Sequence, residues 1–588
     1  MRFFSATVSL SLIAGSMASG CASDAPESEP TAAIDEDYGK PLYGVDDSAA
    51  SKADSFDGAA GPKEAGLSST SEVWKATKRW YQTDAAAGLA WPAGSTLTWD
   101  EKYSAWITSL EKIDGKDGHD TYRLTTPWGK SLESPRLECA EMAMFLRVTF
   151  ASWYGLPFYM TAYNASMGGS MYFGHFGIVN SAGTRISGFP KFGTDYKDYT
   201  ASLATKTNAQ IVAAWPKDAN LRTKSLASNR DDDNSAVLGA GAYTGAYFDE
   251  IFLNKRTAHF LTRMLTYFGS IHLASTQNTF NIRPETIRAG DTLLERWQRS
   301  GIGHTIVVAR VDHLAEGKLS IETFFGSMPR IQGYWYDTNL SKGYFTSELT
   351  GGEGSNYEGD KYASLGGGLK RWRTPVSKSG KWYNIVPQAD RTAFVDGADL
   401  AAIGKRPGQF QELMGTLAPN EAREVMLQRI DVARSALRLK PASCSNRERR
   451  EAAFDDLYEL SAEEFGMSET EVDETYRTLE DYVLAELEYA QSKTCCWNST
   501  NSDMYLVVMQ LNEERVSDSQ CIEPLVFKND NGYKVFADYA ASMGLGSRWV
   551  AWSEDEPCAQ RAVARDIETD HAWAPFCSVR DEVLGNEE

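Results

Sequence analysis

One cysteine, Cys139, stands alone between residues 22 and 443, whereas six of the other seven lie between 444 and 577. In an oxidising compartment an unpaired thiol invites oxidation or mispairing, so its presence asks for a reason. Cys139 opens an almost wholly apolar run, Cys139-Ala-Glu-Met-Ala-Met-Phe-Leu-Arg-Val-Thr-Phe-Ala-Ser-Trp-Tyr-Gly155. If that run is a helix, the thiol sits at its N-terminus, where the macrodipole favours the nucleophilic thiolate. Nucleophilic catalysis then needs a base within reach. Of the seven histidines (119, 175, 259, 272, 304, 313 and 571), His304 has the most suggestive surroundings. Gly301-Ile-Gly303 precedes it and the β-branched run Thr-Ile-Val-Val-Ala follows it.

The elements that must position these two groups can be read from the same stretches. Residues 139–155 predict a buried helix stopped by Gly155 and Pro157, with Ser134-Pro135 as a plausible cap and first position. Gly290-Asp291 marks a turn, and the run after His304 predicts a buried strand with the imidazole at its head. Leu319–Phe325 predicts the next strand, in which Glu322 is the one ionisable residue. Residues 366–375 follow as a final strand or a loop edging a cleft. The aromatics from Tyr334-Trp335-Tyr336 to Tyr344-Phe345 fit either a groove or the core.

A Cys heading a buried helix, then Gly-Asp-x-Leu, then Gly-x-x-His leading a strand, resembles the papain-like cysteine peptidases and amidases of the NlpC and CHAP type. The resemblance spans about a hundred residues. It implies an α+β fold in which the Cys-bearing helix packs on an antiparallel sheet. It also implies Cys139 as nucleophile, His304 as general base and Glu322 as the residue orienting the imidazole, with no cofactor. The 165-residue interval between Cys139 and His304 exceeds what compact members need, and predicts a large insertion at about 158–285. The cysteine helix, ending Gly155-Leu156-Pro157, also resembles a transglutaminase-like core. That alternative implies His175 as the base and acyl transfer or deamidation by the same thiol.

The N-terminus carries a short basic start, an apolar stretch from Val8 to Ala14, and small residues up to Cys21, the three parts of a secretory signal. Ala18-Ser19-Gly20-Cys21 resembles a bacterial lipoprotein lipobox, which implies lipidation of Cys21. Residues 22–72, with 12 Asp/Glu against three Lys, predict a disordered acidic tether. The expected location is therefore the cell envelope, lipid-anchored at the outer membrane, in the periplasm or on the cell surface. No other membrane association is expected.

Charge narrows the partners. The tether, at −9, and residues 451–490, which hold 14 Asp/Glu against one Arg for −13, account for the whole formal net −21. The remainder is close to neutral and offers no basic stripe, which excludes a nucleic-acid role. Residues 73–395 are expected to form the papain-like domain, and 396–588 a helical, acidic domain. Its Cys444, Cys495, Cys496, Cys521, Cys558 and Cys577 read as up to three disulfides with 15 possible connectivities. Adjacent Cys495 and Cys496 are expected to bond to different partners. The acidic helices predict a solvated charged face, or a docking surface for a protein partner. His119 and His313 are expected to face solvent, and His259 and His272 to be packed or surface side chains. Asp231-Asp-Asp-Asn234 reads as a solvated charge run, and no His or Cys spacing matches a metal site. The expected function is an envelope-anchored cysteine hydrolase acting on an amide bond, most plainly in the peptide of peptidoglycan. The alternative from another class is a non-catalytic surface lipoprotein that binds a partner.

Overall fold

The computed structural model describes residues 58–483, 499–515, 521–524, 531–549 and 575–585, except positions 168, 229, 297–298, 300–302, 357–358, 416 and 440–443. Cys21, Cys495, Cys496, Cys558, His571 and most of the tether lie outside the described residues. The fold is α+β with antiparallel sheets.

Its centre is a seven-stranded antiparallel sheet built from β1 (Thr279–Ile282), β2 (Thr292–Glu295), β3 (His304–His313), β4 (Leu319–Phe325), β5 (Tyr334–Tyr336), β6 (Gly368–Trp372) and β7 (Phe394–Val395), in the order β5-β4-β3-β2-β6-β1-β7. The apolar run after His304 needs no polar alternation because β3 is covered on both faces. Leu294, Val307, Ala309, Phe324 and Trp372 join a core with the cysteine helix, Cys139–Tyr154. Leu293, Ile306, Val308, Phe325 and Leu369 join a second core with helices Thr338–Phe345 and Arg406–Met414. Residues 366–375 turn out to contribute one strand of the central sheet, β6, and the start of the hairpin strand Thr374–Lys378.

The cysteine helix is buried all round from Cys139 to Ala151, as expected of an apolar helix inside a large core. Gly155 closes it at φ 66°, ψ 38°, a left-handed conformation that glycine adopts without steric cost. Its cap is Glu138 instead of Ser134, and Arg136-Leu137 forms a short strand between Pro135 and the helix.

Two boundaries move. The globular body begins by residue 58, not 73: Ala59–Lys63 pairs antiparallel with Lys381–Ile385. Backbone pairing to a sheet edge requires few large side chains, so composition alone read this stretch as tether. The interval 158–285 is no separate appendage, since its Phe158, Met160, Phe173, Phe260 and Leu273 share a core with the cysteine helix, and its end supplies β1.

The C-terminal region is helical, with Pro419–Leu439, Cys444–Leu460 and further helices, and a Cys521–Cys577 disulfide. Its acidity is not confined to a solvated face. Asp481 and Glu451 are buried against Arg434, Arg450 and Arg477, and Asp473 against Arg477. The partners Arg434 and Arg450 precede residue 451 and so lie outside the acidic segment 451–490.

Candidate active site at the start of the cysteine helix

The helix start is set by a reciprocal cap. The Glu138 N–H donates to Glu141 Oε2 at 2.8 Å, and the Glu138 side chain accepts from the Glu141 backbone. Both carboxylates are buried and share Arg330, which reaches Glu141 at 2.8 and 3.0 Å and Glu138 at 3.4 Å. Arg330 also pairs with Asp231 at 2.7 Å. Burial pushes the Glu141 carboxyl up to about 8, against the pull of Arg330. Those carboxylates in turn hold the guanidinium well above its ordinary range despite burial. The Asp231–Asn234 run is thus solvent-exposed only at Asp233. Asp231 completes this cluster, while Asp232 and Asn234 are fully buried, with Asp232 accepting the Leu226 and Thr244 N–H groups.

Cys139 is buried, 4% exposed, and its Sγ lies 3.7 Å from the Gly303 carbonyl, toward which the thiol donates. The nucleophile predicted from one stretch therefore meets the residue immediately before His304, 164 positions downstream. Gly303 is where chain must pass close to chain: a Cβ there would lie 2.6 Å from the Glu295 carbonyl oxygen. The Gly303 N–H donates to Ser270 Oγ at 2.9 Å, and Arg296 Nη1 donates to the same oxygen at 3.0 Å. Thiol, glycine, serine and arginine form one connected polar chain.

His304 heads β3 as expected and is buried, its ring edge-on to Phe325 at 4.7 Å between centroids and 5.7 Å from Tyr344. Strand alternation assigns it to the face of Ile306, whereas the cysteine helix packs on the face of Val307. Any meeting of thiol and imidazole therefore occurs around the end of the strand, beside Gly303, instead of across one face.

Two assigned partners are corrected. Glu322 pairs in register with Arg310, six residues beyond His304, roughly 20 Å along the strand at about 3.3 Å per residue. Its carboxylate accepts from Trp335 Nε1 at 3.0 Å and lies 3.6 Å from Arg310. The residue directly opposite His304 is Glu295, at the end of β2 and 7% exposed. Its signal in the sequence is a carboxylate closing the run Thr292-Leu-Leu-Glu295, nine residues before His304. His175 is likewise out of range. It lies beside Phe158, just past the far end of a 16-residue helix, so about 24 Å of helix separates it from Cys139. Its Nδ1 contacts the Phe158 backbone, and Trp74, Phe176 and Trp382 enclose the ring. Burial holds its pKa down at about 4.

His119, expected to face solvent, is half-buried. Its ring stacks on Tyr334 with centroids 3.4 Å apart, in a cleft of about 610 Å³. Tyr334, Trp335, Asp117, Asp431 and Arg438 also line this cleft, whose back wall reaches His304 through Tyr334 and Phe325. Among the described residues, no group of three or more His, Cys, Asp or Glu side chains is placed to hold a metal ion, and no helix is long and apolar enough to cross a membrane. Compared with protein-family models, curated proteins and solved structures, the chain matches none of them.

Proposed function

We propose that this chain is a papain-like cysteine hydrolase, held at the cell envelope through lipidated Cys21, that cleaves an amide bond in cell-wall peptide. The observation that carries the reading is the 3.7 Å approach of the Cys139 sulfur to Gly303, which brings together the two sequence stretches singled out for nucleophile and base. His304 takes the Cys139 proton, and the thiolate attacks the amide carbonyl to form a tetrahedral intermediate. First-turn backbone N–H groups of the helix, at Cys139 and Ala140, receive the oxyanion. The imidazolium then protonates the leaving amine, and water hydrolyses the thioester. Glu295, across the ladder from His304, replaces Glu322 as the group that orients the imidazole. The cleft beside Tyr334 and His119 holds a more distant part of the peptide.

The test is product analysis by mass spectrometry of muropeptides incubated with the purified chain and with Cys139→Ala. New amine and carboxylate termini formed by the first and not by the second support the reading. Equal products from both would end it. One observation favours a second, non-catalytic reading: the thiol is 4% exposed and already donates to a backbone carbonyl, as in a structural cysteine of a partner-binding lipoprotein.

A further inference from the structure

Lys370 is an unusual residue for the centre of a sheet. It lies in β6, in register with Thr292 on one side and Asn281 on the other, so the three side chains form a row on the face that carries Leu294, Val307 and the cysteine helix. It is 1% exposed. Among the described residues, no acceptor hydrogen-bonds to its Nζ and no carboxylate pairs with it. The Thr292 hydroxyl beside it is also buried without a partner.

The surrounding charge is of one sign. Arg406, the first residue of the helix packed on the other face, is buried where β1 ends and β6 begins. Its guanidinium donates to the Gly367, Leu369 and Ile282 carbonyls and to Asn281 Oδ1, and meets no carboxylate among the described residues. Arg296, fully buried at the end of β2, reaches toward the row from the Ser270 side. Burial, then Arg406 and Arg296, hold the Lys370 amine well below its ordinary range. Burying an ammonium without a counter-charge is costly, and replacing such a group by an apolar side chain of the same volume is commonly neutral or stabilising. A buried amine without an acceptor, beside an orphaned hydroxyl and flanked by two guanidinium groups, is therefore a site built for an acceptor that the chain itself does not supply.

We propose that Lys370, with Thr292 and the flanking Arg296 and Arg406, forms a buried site for a compact oxyanion, a carboxylate or a phosphate group. The site shares Arg296 with the polar chain at the cysteine, through Ser270, but makes no use of the thiol. Binding converts an isolated amine into a charge-assisted pair and gives the Thr292 hydroxyl an acceptor.

The experiment measures the thermal unfolding midpoint of the full chain in sodium acetate, sodium phosphate and sodium chloride at matched ionic strength and pH. The expected result is a midpoint about 3 °C higher in acetate, in phosphate, or in both, than in chloride. The arm that responds identifies the anion's chemistry. Lys370→Met is expected to abolish this increment while melting no lower than the parent chain in chloride. Thr292→Val, which leaves the charges in place, is expected to reduce the increment and gives the same comparison should Lys370→Met not accumulate. Cys139→Ala is expected to keep the increment in full, which separates this site from the proposed hydrolase. Identical midpoints in all three salts, or an increment that survives in both Lys370→Met and Thr292→Val, would overturn the proposal.

Discussion

The two ends of the cysteine helix each place a histidine within a residue or two of the helix or its contacts, yet they are built for different work. At the C-terminal end, His175 sits among Trp74, Phe176 and Trp382 with its Nδ1 committed to the Phe158 backbone. At the N-terminal end, the thiol, Gly303, Ser270, Arg296, His304 and Glu295 gather where β2 ends and β3 begins. An imidazole ringed by tryptophans is a packing element, whereas one opposite a carboxylate and one residue from a thiol contact stands where the proposed hydrolase needs its base. Sequence spacing gave both histidines a claim; their surroundings separate them.

The comparison breaks most directly through turnover. Cys139→Ala and His304→Ala are each expected to lower muropeptide cleavage by at least about a thousandfold, and His175→Phe by less than about threefold, measured as kcat/KM on one substrate. A large loss in His175→Phe alongside normal turnover in His304→Ala would reverse the assignment of the two ends.

The next effect is on stability. Arg330→Met leaves Glu138, Glu141 and Asp231 clustered without their shared cation. It is expected to cost about 3–5 kcal/mol in a urea titration at pH 7, far more than an equivalent change at an exposed arginine such as Arg123.

A pH comparison sharpens the C-terminal end. Burial lowers His175 to about 4 from an ordinary value near 6.5, so the unfolded chain binds the extra proton first. Stability is retained above pH 6.5 and declines as pH falls toward 4, by up to about 3 kcal/mol from this residue. His175→Phe is expected to flatten that decline, read as the difference between urea midpoints at pH 7 and pH 5. An unchanged difference would mean that the ring is not desolvated in solution.

The smallest effects distinguish the two carboxylates proposed to support the base. Glu295→Gln is expected to lower kcat about ten- to a hundredfold with little change in KM, and Glu322→Gln to change neither by more than about twofold. The reverse ranking would restore Glu322.

The parts of this architecture written in local periodicity were legible. The helix at 139–154, its glycine stop, the strand after His304 and the strand at 319–325 follow from runs of apolar and β-branched residues. What failed were statements about register and counter-charge, which depend on pairing. Glu322 lies on the predicted strand, but a bulge-shifted ladder sets it against Arg310. Asp231 belongs to a run of like charges, and only folding delivers Arg330 to it from 99 residues away. The acidic helices looked solvated because Arg434 and Arg450 fall outside the acidic window. Ala59–Lys63 looked like tether because a sheet edge recruits backbone, leaving little trace in side-chain chemistry.

The distance along the chain between sulfur and Gly303 sets a timetable. Synthesis at roughly 5–20 residues per second leaves about ten to thirty seconds between the appearance of Cys139 and that of the strand it must meet. During that interval the chain that will surround the first residue of the helix has not yet been made. The contact of the thiol with Gly303 forms only once β2 and β3 have paired beside the helix start.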